Sequence, residues 1–474
     1  MIFLPPLLYS AAFFTSPRDL KANLRPIALL SIGLVLFTAG TVAVVAHTVI
    51  RLSWPAAFVL GVVVSPTDPL AATAIANRLR IPRRIITILE GESLINDGTA
   101  LTLYRTAVTA VVAGTFSFFD AGLEFVRSGV GGVTIGLLVG WRISHIRRRI
   151  EDAYLETTVA LFTGYAAYLP ADELGASGVL AVVAAGVYLS WQSPEMTSPR
   201  NRLQVFEVLW MMNFLLNSVL FILIGLQLPA ILGGMLSSES ATMLVLYAVL
   251  ASLTVMGTRL VWAFPMAYLP RRLSRRLPER DPLPPWRHIA VVAYAGMRGA
   301  VSLAAALSLP LKTDSGEPFP ARDLIIFLSF GVILVTVVLQ GLSLPFLIHR
   351  LGVEGDEEEE REEDEARLRA AEAALARIEK LANEEWVRED TAERLREFYE
   401  HRRNRFASRF TEESDSAEED GYEERSLAYQ RLRRELLGAE REALLQLRNE
   451  GRISDEVRRR VERDLDLEET QLEI

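Results

Sequence analysis

Residues 91–98 read GESLINDG, and they lie inside the apolar run Ile85–Ala113. A run of that length is membrane-spanning, since about 20 apolar residues cross a bilayer. Yet it carries Glu92, Ser93, Asn96 and Asp97 near its middle. A charge at that depth costs roughly 2.5–3.5 kcal/mol on insertion scales, and such residues mark ion paths. On a helix, positions i and i+4 share a face. Ser93 and Asp97 therefore make one polar stripe, and Glu92 with Asn96 an adjacent one. The first offers a hydroxyl and a carboxylate, hard oxygen ligands suited to a small cation. The second can satisfy a buried guanidinium.

The rest of the chain divides into two unlike parts. Residues 1–351 hold eleven apolar segments, from Met1–Phe14 to Leu324–Ile348, and read as an all-α polytopic membrane domain. Residues 352–474 have almost no apolar run. From residue 353 onward there are 39 acidic and 23 basic residues, net −16, leaving +7 for the membrane part. The overall charge of −9 thus says nothing of the membrane domain's partners. The absence of Cys excludes disulfides and thiolate metal sites.

Basic loops alternate with loops free of Lys and Arg. Arg18, Lys21 and Arg25 lie in one basic loop, Arg78 to Arg84 in the next, then Arg142 to Arg149, and later Arg271 to Arg280. The positive-inside rule puts these loops, and with them the tail, in the cytoplasm. Met1–Phe14 is too short to span and has no basic flank or cleavage site, so the expectation is a chain that starts partway through a helix.

Other deep polar residues fall where the backbone is weak. Asp68 sits in VVSPTDPLAA, between Pro66 and Pro69, which should break the Trp54–Asn77 span at its centre. A mere proline kink is the bland alternative. Arg298 lies between Gly296 and Gly299 in AYAGMRGAVSLA, a second interruptible span. The competing account there is that the glycines serve packing alone. Two interrupted spans in corresponding halves point to a transporter's central site. If the breaks cross, Asp68 and Arg298 offset opposed half-helix dipoles. Arg259, two-thirds along Ala241–Phe264, is a reasonable partner for Glu92, because a buried charge needs one. Glu124, Arg127, Glu156 and Glu207 sit nearer segment ends and read as interfacial.

Six stretches, in this order, resemble the cation:proton antiporter-1 family of sodium/proton exchangers. They are FLPPLLYSAAF (3–13), SPTDP (65–69), GESLIND (91–97), GTRLVWAFP (257–265), GMRGAVSLA (296–304) and TVVLQGLSLP (336–345). The resemblance implies thirteen spans in two inverted repeats, with two broken, crossing helices. The eleven segments here correspond to spans three to thirteen, so the first two are lacking. It also implies a homodimer in a bacterial cell membrane, with a transport bundle moving against a dimerisation scaffold. By position, Asp97 would bind a cation or a proton, and Ser93 would give its hydroxyl. Thr67 would give its backbone carbonyl, so that Na⁺ or K⁺ would sit among Asp97, Ser93 and Thr67. Asp68 would act nearby through water, and Arg259 would hold Glu92 and Asn96. The Asn96–Asp97 pair is similar to that of the electroneutral branch. One departure stands at Ser10, where some exchangers carry an acidic ligand.

The expected function is antiport of a monovalent cation, Na⁺ first and then Li⁺ or K⁺, against H⁺. The alternative is a transport-inactive, membrane-anchored regulatory protein with an antiporter-like core. No HExxH or GxSxG motif supports a hydrolase, and no cofactor or nucleic-acid partner is expected. The tail reads as charged helices interrupted by TEESDSAEEDG (411–421), with a capping residue at Ser454. No nucleotide or calcium motif appears there.

Overall fold

Proline and glycine decide how this chain is cut into helices. In the computed structural model, residues 3–114, 118–196, 198–235, 240–273, 283–353, 355, 357–382, 384, 386–408 and 416–472 are described. They form helices and, apart from one isolated bridge between Lys312 and Pro318, no strand pairing. Two compact units are present, Met1–Gly355 and Asp356–Ile474.

In the first unit, α1 (Leu4–Phe14) is followed by a short turn of helix and then α2 (Leu24–Thr48), which carries a π-helical stretch at Leu29–Leu34. The span predicted at Trp54–Asn77 is two half-helices, α3 (Trp54–Val63) and α4 (Leu70–Arg78), parted at Ser65–Pro69. Next come α5 (Arg83–Ala113), α6 (Phe118–Arg147), α7 (Ala153–Glu173), α8 (Gly178–Met196), α9 (Pro199–Met235) and α10 (Ala241–Leu273). The predicted Ile289–Leu309 span is likewise divided, into α11 (Trp286–Tyr294) and α12 (Ala300–Leu307). The last helix, α13 (Arg322–Leu351), has a second π-helical stretch at Thr336–Gln340. Among the described residues, five helices are long and apolar enough to cross a membrane by length and composition. Of the six other predicted segments, two are halved by breaks, α1 and the apolar Gly178–Ser193 stretch of α8 are shorter than a span, and α5 and α7 are not apolar enough to qualify.

Packing gathers the unit around several clusters, two of which hold the most buried residues. One gathers α2, α3, α12 and α13 around Val59, Leu60, Val63, Ile325 and Leu328. The other gathers α1, α7 and α8 around Tyr9, Ala167, Ala181 and Ala185. The second cluster also contains an ion pair. Arg147, at the end of α6, donates to Glu156 Oε1 from Nη2 at 2.9 Å, and Asn201 Nδ2 donates to Glu156 Oε2 at 2.7 Å. Both charged side chains are 1% exposed. Glu156 is therefore no interfacial charge. It joins α6, α7 and α9, and the Arg147 guanidinium lies over the Phe13 ring. Glu124, Arg127 and Glu207 are exposed.

The second unit contains α14 (Glu357–Leu381), α15 (Glu389–Ser408), α16 (Ser416–Asn449) and α17 (Asp455–Leu472). Within it, Arg441 on α16 pairs with Asp466 at 2.6 Å and Glu469 at 2.5 Å on α17. Ser454 Oγ accepts from the Val457 amide and starts α17. Of the predicted loop 411–421, residues 411–415 lie outside the described residues. From Ser416 the chain is helical, since acidic residues suit a helix's first turn.

The approach of α2 to α3 yields a test. A Cβ on Gly61 would sit 2.3 Å from the Ala39 carbonyl oxygen, whereas one on Gly40 would meet nothing within 4 Å. Gly61→Val should lower the thermal midpoint in detergent, on the order of 1–3 kcal/mol of lost stability. Gly40→Ala should stabilise by about 0.5–1 kcal/mol. Equal effects would contradict this packing.

Candidate functional site

A break at membrane depth exposes carbonyl and amide groups that lipid cannot satisfy, so they must find partners within the protein. The two broken helices provide them for each other. The Asp68 amide donates to the Met297 carbonyl at 2.8 Å, tying the first break to the second. Val64, at the C-terminal end of half-helix α3, accepts at its carbonyl from Arg298 Nε at 3.1 Å. Arg298 Nη1 also donates to the Gly296 carbonyl, just past the end of α11. The guanidinium thus lies at the C-terminal ends of both first half-helices, and it is fully buried. Asp68 lies at the opposite ends. Its Oδ1 accepts from the Leu70 amide at 3.0 Å, capping α4. Its Oδ2 lies where a side chain on Gly299 would begin, 1.9 Å from the position of a Cβ there. Gly299 precedes α12, so Asp68 stands at the N-terminal ends of both second half-helices.

Gly296 makes room of a different kind. A Cβ there would lie 2.4 Å from Arg259 Cδ, so the glycine lets the Arg259 side chain pass. Arg259 extends from α10 and donates to both carboxylate oxygens of Glu92, at 2.7 Å from Nη2 to Oε2 and from Nη1 to Oε1. Each partner is 1% exposed. Arg259 also donates to the Val292 carbonyl, at 3.2 Å from Nε and 3.0 Å from Nη2. That carbonyl belongs to the last turn of α11 and has no successor along its own helix to bond it.

Thr67 and Asn96 complete this network. Thr67 Oγ1 donates to Glu92 Oε1 at 3.1 Å and accepts from Asn96 Nδ2 at 2.7 Å. The hydroxyl's one proton is committed to the carboxylate, so the Asn96 group facing it must be the NH₂. Asn96 is linked to Arg259 through Thr67 and Glu92. Asn96 Oδ1 is buried and has no hydrogen-bond partner among the described residues. Thr67 contributes its hydroxyl to this network.

Asp97 differs from Glu92. It is 6% exposed, and among the described residues its carboxylate has neither a hydrogen-bond nor an ion-pair partner. Asp68, also an acid, is the charged neighbour that acts on it. Ser93 is buried one turn before it on the same face. Ser10 is buried on α1, and its Oγ donates to the Leu7 carbonyl at 2.9 Å in its own helix.

Two residues of the α13 motif had no assigned role in the sequence. Thr336 Oγ1 accepts from the Arg298 amide at 3.1 Å. Gln340 Nε2 donates to the carbonyl of Tyr294, the last residue of α11, at 2.8 Å. Both lie in the π-helical stretch, which widens the helix and turns these side chains toward the break. Their only sequence signal was their place in TVVLQGLSLP.

Known proteins resemble this chain along most of its length. Residues 1–350 match the family described as sodium/hydrogen exchanger, transmembrane. The chain is 39% identical, over 100% of its length and 86% of the relative's, to a Mycobacterium tuberculosis protein described as an uncharacterized Na(+)/H(+) exchanger. It is 30% identical to the Na(+)/H(+) antiporter ApNhaP of Aphanothece halophytica, over 96% of this chain and 84% of that one. A sodium, potassium, lithium and rubidium/H(+) antiporter of Bacillus pumilus is 35% identical over 73% of this chain and 53% of its own. The fold is similar to that of the sodium proton antiporter MjNhaP1 from Methanocaldococcus jannaschii. The TM-score is 0.55 at 20% identity, over 74% of this chain and 84% of that one. With a family match across residues 1–350, the chain belongs to the sodium/hydrogen exchanger family, whose members are multi-pass membrane transporters and not enzymes.

Proposed function

We propose that the protein exchanges a monovalent cation for H⁺ across its membrane by alternating access, with both ions competing for Asp97. One observation carries the reading: Asp97 is a buried carboxylate without a counter-charge among the described residues, five positions from a Glu92 that has one. An isolated buried carboxylate is costly, and either a bound cation or a proton removes the cost. The bundle moves only when one of them is there. Because a single carboxylate exchanges one charge for one charge, the exchange is electroneutral. Ser93 supplies a hydroxyl oxygen and Thr67 a carbonyl oxygen to the cation, while Asp68 acts through water. Na⁺ is the first candidate. The names of the relatives from Aphanothece halophytica and Bacillus pumilus both include Na⁺, and the second includes Li⁺ and K⁺ as well.

The remaining polar residues keep the site in shape. Arg298 and Asp68 offset the half-helix dipoles at the crossing, a cation at C-terminal ends and an anion at N-terminal ends. Glu92 and Arg259 are structural, and Asn96 belongs with them through Thr67. The protein works as a homodimer, and its helical tail lies in the cytoplasm with the basic loops.

Two neighbouring carboxylates should respond in opposite senses. In everted vesicles with a pH dye, Asp97→Asn should abolish the fluorescence response to Na⁺, Li⁺ and K⁺. Its thermal midpoint in detergent should equal or exceed that of the unmodified protein, since a costly group is gone. A normal response on adding any of these cations would defeat the proposal. Glu92→Gln should destabilise by about 3–5 kcal/mol, because it strands the buried Arg259. A double variant, Glu92→Leu with Arg259→Met, should lose less than the two single changes together. Strict additivity would show that the two side chains do not act as a pair.

A further inference from the structure

Toward the basic-loop end of α5, the face that carries Asp97 holds another acid. Glu90, Ser93 and Asp97 are spaced i, i+3 and i+7, so they fall in one column along the helix. About 10 Å of helix rise separates the two acids. None of the three side chains has a hydrogen-bond partner among the described residues. Asp97 is 6% and Ser93 7% exposed, whereas Glu90 is more open to its surroundings. Arg83, two turns back on α5, is the charge that acts on Glu90, but it also pairs with Asp19 Oδ2 at 3.1 Å.

The flanks of this column are closed by packing. On one side, Ile85 and Leu89 pack with Ala72 and Ala76 of half-helix α4. On the other, Leu94 packs with Ala12 of α1 and Val183 of α8. At about 100° per residue, Glu90 and Asp97 point between these two contacts. Glu90 lies about 12 Å along the helix from the middle of α5, inside the ~15 Å half-thickness of the hydrocarbon. A partly exposed carboxylate at that depth needs water, because hydrocarbon satisfies none of its oxygens. The seam between α4 and the α1–α8 pair is therefore an aqueous path from the basic-loop side, with oxygens of Glu90, Ser93 and Asp97 in sequence along it.

We propose that Glu90 is an entry site for the monovalent cation, drawing it into this path and passing it by the Ser93 hydroxyl to Asp97. The proposal rests on the reading that Asp97 takes the cation. Carboxylate and hydroxyl oxygens in series suit a small hard cation throughout its approach. The basic loops 18–25 and 78–84 repel cations at the mouth, and Glu90 is the acid just inside them that reverses the sign of the field. A unit charge in water concentrates monovalent cations about fivefold within ~4 Å of it. Ions arriving from the opposite face never pass Glu90. They feel it only across ~10 Å, where the same charge is worth about twofold.

The asymmetry between the two faces is the test. The full chain is assayed in everted vesicles, which present the basic-loop side to the medium, and in right-side-out vesicles, which present the other face. Glu90→Gln should lower kcat/KM for Na⁺ about fivefold in the first and at most about twofold in the second, with an unchanged thermal midpoint in detergent. Glu90→Asp keeps the charge and should match the unmodified protein on both faces. Raising ionic strength with choline chloride should shrink the loss, since an exposed charge is screened. Glu151→Gln, the same change at an exposed acid between α6 and α7, should alter neither value. Equal losses on the two faces, no loss in everted vesicles, an equal loss in Glu90→Asp, or a lowered thermal midpoint in Glu90→Gln would overturn the proposal. Failure of the Asp97 reading is distinct, because Asp97→Asn would then keep exchanging. An inactive Asp97→Asn beside a normal Glu90→Gln would strike the entry site alone.

Discussion

The hydrogen bond from the Asp68 amide to the Met297 carbonyl joins two interrupted helices, and most of the site follows from it. A chain break in hydrocarbon survives only where its freed groups are satisfied from within. Here each break supplies the other. Val64 and Gly296 carbonyls take Arg298, the Leu70 amide takes Asp68, and Val292 and Tyr294 carbonyls take Arg259 and Gln340. Arg259 can reach Val292 only past Gly296, and Asp68 can approach α12 only at Gly299. Charged side chains in the membrane are costly, but here they close a backbone account that no apolar residue could.

Against this fixed frame, α5 carries at the crossing two carboxylates with different surroundings. Glu92 meets a bidentate guanidinium and the Thr67 hydroxyl, so its oxygens are occupied. Asp97, just over one turn later, is buried and has no ion-pair partner among the described residues. In the proposed mechanism this contrast separates the two roles: Glu92 keeps its partner within the protein, and Asp97 takes one from solution. The Asn96 Oδ1, one turn of helix from Glu92, adds a second acceptor without a hydrogen-bond partner among the described residues.

How far the sequence disclosed this depends on whether the signal was local. Pro66 and Pro69 act on their own neighbours, and so do Gly296 and Gly299, so both interruptions could be read directly. Glu92 and Arg259 are 167 positions apart, and only the need of one buried charge for another suggested a pairing. Where that reasoning had nothing to hold, it failed. Thr336 and Gln340 serve the α11 break from another helix, and no periodicity marks them. Glu156 looked interfacial because it starts its segment, yet Arg147 and Asn201 meet it in the interior. The Thr67 hydroxyl that links Asn96 to the Glu92–Arg259 pair comes from the break itself, and nothing local in the sequence marks it.

Competition at one carboxylate is the central claim, and proton release on cation binding tests it most directly. Purified protein in weakly buffered detergent is titrated with Na⁺ while a pH dye reports free protons, with no membrane and no gradient. The account predicts that each bound cation expels one proton in the pH range where the site is protonated, and that Asp97→Asn expels none. Cation binding without proton release, or undiminished release from Asp97→Asn, would contradict it.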